Sequence, residues 1–218
     1  MQRTQGKPYA ETFRCPAGAL CLDFCNTGQG ARGARGTEWI TEFNDLVDWL
    51  EAAEAIGKAQ ATGLHRSAAA APESASQVWA RSISFREGLF RVLAARTRGH
   101  AAAREDLALI EVENARTLPF ARLSWMGERY AWSEDAAAST SEAALRPIVR
   151  SGVELLASEK LARLQRCGNS TCYWLFLDET RNHSRRWCEM ASCGNLLKVR
   201  RFREKSRPVG SNPAGRVK

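Results

Sequence analysis

Apolar residues recur at helical spacing over long stretches of this chain and alternate over a few short ones. Phe43, Leu46, Val47 and Leu50 fall three and four apart, with Trp49 beside them, and predict an amphipathic helix from about Thr41 to Ile56 that stops at Gly57. Val78, Ile83, Phe85, Leu89, Phe90, Val92 and Leu93 predict a long helix from about Ser76 to Arg98, and helical character continues from Leu107 to Ala115. A last helix of this region covers about Ser139 to Ser158, kinked or broken at Pro147. Two short stretches carry the other period. Leu20, Leu22 and Phe24 alternate with Cys21, Asp23 and Cys25 and predict a short strand ending at Asn26-Thr27. Phe120, Leu123, Trp125, Tyr130 and Trp132 flank Met126-Gly127-Glu128-Arg129 and predict a β-hairpin. The alanine-rich stretch Ser67 to Ser76 reads as an inter-helix loop or frayed end. Gly28 to Gly36, with four glycines interleaved with Arg32 and Arg35, reads as a loop. It lacks both the Lys-Ser/Thr of a P-loop and a G-x-G-x-x-G pattern, so it is not read as a phosphate cradle.

Beyond Leu164 the pattern changes from long helices to turns and cysteines. Cys167, Cys172, Cys188 and Cys193 form two C-x₄-C pairs separated by fifteen residues. Each pair offers two sulfurs from one tight turn, and folding back the intervening segment makes a four-sulfur tetrahedral site of the kind that holds structural zinc. Gly168 and Asn169, and again Gly194 and Asn195, suit chain that wraps a metal. Four cysteines leave no open coordination position, so the metal is expected to hold structure rather than activate water. Between the pairs, Tyr173 to Leu177 predicts an apolar strand, Asp178 to His183 a turn, and Ser184 to Trp187 a return strand. A helix capped by Asn195 is expected after Cys193. On it, Leu196, Val199 and Phe202 would pack on the hairpin while Lys198, Arg201 and Lys205, with Arg200 nearby, form a cationic face. Ligand turn, hairpin, ligand turn and helix is a treble-clef-like layout. The fold class is therefore α+β, mainly α: a helical domain at about 13–160 with a small antiparallel element, a zinc finger at about 164–207 and a flexible tail at 208–218.

Composition adds one decisive fact, which is where the charge lies. The chain has 218 residues, 44% hydrophobic and 26% charged, with a formal net charge of +8. From Arg163 to Lys218 there are 13 Lys+Arg against 4 Asp+Glu, so the basic balance belongs to the cysteine-bearing module. Such a module attracts polyanions through phosphate contacts and counterion release. Arg181, Arg185 and Arg186 would extend the surface formed by Lys198, Arg200, Arg201 and Lys205, with arginine suited to guanine edges. Two disulfides would also use four cysteines, but residues 1–15 carry Arg3, Lys7 and Arg14 and no apolar run, so a cytoplasmic, thiol-reducing location is expected. No run reaches the length of a membrane helix, and no membrane partner is expected.

The run from Cys167-Gly-Asn through Tyr-Trp-Leu-Phe-Leu-Asp and Ser-Arg-Arg-Trp-Cys188 to Cys193-Gly-Asn resembles the CGNR zinc finger. Leu20-Cys-Leu-Asp-Phe-Cys-Asn-Thr27 resembles the opening motif of the ABATE domain that commonly precedes that finger. The resemblance implies a bacterial stress-induced transcription regulator whose finger contacts DNA and whose zinc ligands are Cys167, Cys172, Cys188 and Cys193. The arginine that gives the finger its name is replaced here by Leu196.

Three readings follow. One is a DNA-binding regulator whose helical domain senses a small-molecule effector or mediates homo-oligomerisation. The second is a protein-interaction module in which one structural zinc staples the fold and Trp174, Phe176 and Trp187 face a partner. The third is a small-molecule site near Asp23, Asn26 and Thr27, whose carboxylate, amide and hydroxyl cluster beside a loop but could equally fix a turn. Cys15, Cys21 and Cys25 read as core thiols rather than a second metal site. No nucleophile, base and orienting group stand at informative spacing, and no enzymatic role is expected.

Overall fold

The computed structural model describes residues 17–28, 38–134 and 140–199. The chain is mainly helical, with two small antiparallel sheets. Its elements are α1 (Leu20–Asn26), α2 (Phe43–Ala52), α3 (Lys58–Ala70), α4 (Pro72–Thr97), α5 (Arg104–Thr117), β1 (Ala121–Trp125), β2 (Tyr130–Glu134), α6 (Arg146–Leu156), β3 (Leu164–Arg166) and β4 (Leu175–Leu177).

The amphipathic segments form helices for the reasons their spacing gives. In α2, Phe43, Leu46, Val47, Trp49 and Leu50 are buried, and the Asp45 carboxylate accepts hydrogen bonds from the backbone N–H (2.8 Å) and hydroxyl (2.5 Å) of Thr41 at the helix entrance. Pro147 stands at the start of α6, where its fixed φ suits a first turn, and a 3₁₀ segment, Ser141–Leu145, leads into it. The β1–β2 hairpin forms as expected, in the register Leu123↔Trp132 and Trp125↔Tyr130.

Two expectations are corrected. The alanine-rich stretch at 67–76 is helical apart from a break at Ala71 (φ −140°), which precedes Pro72. Alanine is the strongest helix former, and the residue before a proline is pushed out of the helical region, so composition there sets a joint between two helices and not a loop. The expected strand at Leu20–Thr27 is the helix α1. Buried cysteine behaves as a small hydrophobe, so the apparent alternation is a nearly continuous apolar run; Cys21, Leu22, Phe24 and Cys25 are all fully buried, which suits a short helix enclosed on every side. Burial pushes the Cys21 thiol up to about 12. Cys15 and most of the Gly28–Gly36 loop lie outside the described residues.

One hydrophobic core runs through both the helical region and the cysteine module. It joins Phe24, Trp49, Phe85, Leu89 and Ile148 to Leu164, Trp174, Leu175, Phe176, Leu177 and Cys188. Trp39 meets Trp174 edge to face at 6.3 Å. Leu177 N–H donates to the Ala17 carbonyl at 2.8 Å. At Gly18, φ is +88° and a Cβ would stand 3.3 Å from that of Leu177, so glycine is required by conformation and by close approach.

Candidate metal centre and basic surface

The first cysteine pair sits in the loop of a strand–turn–strand unit. β3 pairs antiparallel with β4 in the register Leu164↔Leu177, Gln165↔Phe176 and Arg166↔Leu175, so the two strands flank Cys167 and Cys172. Cys167 N–H donates to the Trp174 carbonyl at 2.8 Å, and Cys172 N–H to the Asn169 carbonyl at 2.9 Å. The left-handed residue of this knuckle is Tyr173 (φ +62°), not Gly168. Gly168 is needed for another reason: a Cβ there would stand 2.8 Å from the Trp187 ring and 3.1 Å from the Arg186 carbonyl.

The return strand expected at Ser184–Trp187 does not form. β4 already spends its backbone groups on β3, on Ala17 and on Asn26, so this segment docks by other means. Gly168 N–H reaches the Arg186 carbonyl at 2.9 Å. The Asp178 carboxylate accepts from Thr180 N–H (3.0 Å), the Thr180 hydroxyl (2.5 Å) and Arg185 N–H (2.9 Å), and these bonds, the Thr180 hydroxyl first, lower its pKa. The Arg185 guanidinium donates to the carbonyls of Trp187 (3.0 Å), Leu177 (3.4 Å) and Cys188, and lies 4.4 Å from the Phe176 ring centroid. Arg185 is thus an internal brace, a role its place in a basic run concealed.

The second pair enters a helix through its last ligand. A π turn, Met190–Gly194, runs directly into helical residues 195–199. Asn195 therefore lies inside the helix, where its side-chain amide reaches the Ala191 carbonyl at 3.4 Å, and is not its cap. Cys193 must face the other sulfurs, and the residue four further on is the half-buried Leu197. Leu196 and Val199 fall off that face and are 45% and 48% exposed, which corrects the expectation that they pack on the hairpin. Phe202, Arg200, Arg201 and Lys205 lie outside the described residues.

The four sulfurs of Cys167, Cys172, Cys188 and Cys193 all lie within 4.8 Å of one another. Cys172 and Cys188 are 3.6 Å apart at sulfur, and Cys188 and Cys193 3.7 Å. Four sulfurs at about 2.3 Å from a tetrahedral zinc stand about 3.8 Å from each other, so these residues fit one zinc ion. The cysteines are free thiols, not disulfides. Hydrogen bonds from Cys172 and Cys188 pull Cys167 down to about 2, whereas the bond to Cys167 pushes Cys172 up to about 12 and Cys188 is pushed up too. A thiolate at one position makes further thiolates unfavourable, and a dication removes that conflict. Asn169, whose residue type suggests only a turn, ties the two pairs together: its amide nitrogen donates toward Cys193 Sγ at 3.5 Å while its oxygen accepts from Thr171 N–H and hydroxyl. The zinc supplies a structural crosslink between the two ligand turns.

The other expected sites resolve differently. Asp23, Asn26 and Thr27 come together but are buried, at 5%, 3% and 1% exposure. Asn26 donates its amide to the Leu175 carbonyl (2.9 Å) and accepts from Leu175 N–H (3.0 Å), acting as a strand partner for β4. Asp23 accepts from Ala17 N–H at 3.3 Å, and the Thr27 hydroxyl accepts from Arg86 at 2.9 Å. Trp174 and Phe176 belong to the core, and Trp187 is half-buried. Arg181, Arg186 and Lys198 are exposed. Arg186 and Arg166, the second absent from the expected set, lie over the Trp187 and Tyr173 rings at 5.5 and 4.5 Å. Among the described residues no helix is long and apolar enough to cross a membrane.

Comparison with family models gives two matches. Residues 163–206 match the CGNR zinc finger. Residues 18–159 match ABATE, described as "Putative stress-induced transcription regulator". No curated protein matches the chain. Neither family is described as an enzyme, and the ABATE model alone covers more than half of the sequence. Placed beside a four-cysteine centre whose spacing fits one structural zinc, these matches show that the chain belongs to the ABATE family and carries a CGNR zinc finger.

Proposed function

We propose that the protein is a DNA-binding transcription regulator, not an enzyme, in which the zinc-stapled finger meets the phosphate backbone and the helical domain serves sensing or self-association. The observation that carries this reading is the charge distribution: 13 basic against 4 acidic residues from Arg163 onward, in a chain whose net charge is +8. The exposed Arg181, Arg186 and Lys198 supply cations on the described part of the finger, and Arg200, Arg201 and Lys205 are expected to extend the surface. Arg185 is left out, because its guanidinium is engaged by the finger's own carbonyls. With the exposed Leu196 where the family motif has arginine, the reading rests on phosphate contacts more than on base contacts. A cytoplasmic location goes with it, since reduced thiols are needed to hold zinc. The burial of Asp23, Asn26 and Thr27 supports a structural role for them, so an effector would bind elsewhere.

Titrating a labelled DNA duplex with the zinc-loaded chain tests this. Binding should weaken with salt by about 0.9 log units of affinity per log unit of salt for each phosphate contacted. Arg186→Ala and Lys198→Ala should each reduce that slope by about 1. No binding at low salt would contradict the reading.

A further inference from the structure

The β1–β2 hairpin presents an apolar face that no part of the described chain covers. Leu123 and Trp132 are directly opposite each other on it, as are Trp125 and Tyr130. These four side chains are 59%, 56%, 57% and 66% exposed. Trp125 and Tyr130 pack on each other, with ring centroids 5.1 Å apart, and Met126 beside them is 54% exposed. The opposite face turns toward the body: Ser124 and Ala131 are half-buried, and Arg150 on α6 donates to the Trp132 carbonyl at 2.8 Å. The hairpin is therefore tied to α6 with its aromatic side outward. A two-stranded hairpin is marginal alone in water and gains stability when its apolar face is covered.

We propose that this face is a homodimer interface, with the hairpins of two copies packed face to face about a two-fold axis. Charge favours this occupant. The centre of the face, Leu123, Trp125, Tyr130 and Trp132, bears no formal charge, and Glu134, next in register on that face, stands at its end opposite Ala121, so the centres of two copies meet without like-charge repulsion, as an isologous contact requires. A nucleic acid strand stacked on these rings would call for cations interleaved with them, and the face has none. Area agrees. Aromatic side chains carry about 150–250 Å² each, so three at just over half exposure, with Leu123 and Met126, offer on the order of 500–600 Å² per copy. Pairing two such faces buries about 1,000 Å² or slightly more, the lower bound for a specific interface. Edge-to-edge pairing of the strands would leave the aromatic face wet, so face-to-face packing is the arrangement that covers it. The proposal is independent of the nucleic-acid reading, and its test contains no DNA.

The test is the molar mass of the zinc-loaded full chain by sedimentation equilibrium from about 1 to about 100 µM, a range that spans a weak dimer. A species of twice 24.2 kDa should grow with concentration. Trp125→Glu and, separately, Trp125→Lys should raise its dissociation constant by at least about 30-fold, the effect of losing a central aromatic anchor, with zinc content unchanged. Mixing the two variants should restore the heavier species. Hydrogen exchange on the unaltered chain removes dependence on variants: amides of 121–134 should gain protection between the dilute and concentrated samples. A mass of 24.2 kDa throughout, a dimer indifferent to both substitutions, or hairpin exchange that ignores concentration would each overturn the proposal.

Discussion

At the scale of single residues, two asparagines carry more of the structure than their composition class suggests. Asn26 saturates both backbone groups of Leu175 inside the core, and its own exposure is 3%. Replacing it with alanine strands a buried N–H and a buried carbonyl, at about 1–3 kcal/mol for each unsatisfied group. Asn26→Ala should therefore lower unfolding stability by about 2–6 kcal/mol in urea denaturation, although residue 26 is no zinc ligand. Asn169 acts on the metal. Its amide points at Cys193 Sγ and its carbonyl oxygen holds the knuckle, so Asn169→Ala should weaken zinc affinity by about 10- to 100-fold in competition with a chromogenic chelator. A variant that binds zinc as tightly as the native chain would show that this contact is incidental. The ligands themselves were readable from spacing. Their supporting residues were not, because an asparagine that mimics a strand neighbour 149 positions away leaves no local pattern.

At the scale of elements, α4 is anchored by a buried arginine. Arg86 is 3% exposed, ion-paired to Glu38 at 2.5 Å and to Glu87 at 2.9 Å, and lies 5.9 Å from the Phe24 ring centroid. Burial acts to raise the Glu38 pKa, but its hydrogen bonds and the charge of Arg86 outweigh that and leave it lowered from 4.5. A lowered folded pKa means the pair contributes stability above the ordinary carboxylate value and loses it as pH falls through the folded one. Thermal stability should thus decline as pH drops below about 4.5, and Glu38→Gln should be less stable at neutral pH and show a shallower decline over the same window. Equal slopes would show that Glu38 does not contribute to the acid sensitivity. Most of the long helices were legible from apolar residues at helical spacing, but α3 was not, because it buries only Ala61, Leu64 and Ala68 and two of those are alanines. Among the short elements the β1–β2 hairpin was legible from its alternation, but two others were not: α1 is seven residues enclosed by core, and the strand partner of β4 lies before the first cysteine pair, since the C-x₄-C turn is itself the loop joining the two strands.

At the scale of the whole molecule, the finger is not an appendage. Leu164, Trp174, Leu175, Phe176, Leu177 and Cys188 share one core with the helices, and Asn26, Ala17 and Trp39 bind β4 and Trp174 from the helical side. The change in composition near Leu164 marks a change in chemistry rather than a break in packing, which sequence alone does not reveal. It follows that metal binding and helical stability are linked, because a ligand bound only by the folded state stabilises everything that folds with it. The most direct test is calorimetric unfolding of the zinc-loaded chain with and without a strong chelator. One cooperative transition is expected in the presence of zinc, displaced as a whole to lower temperature when the metal is removed. A helical transition unmoved by chelation, with only a separate minor transition lost, would contradict it.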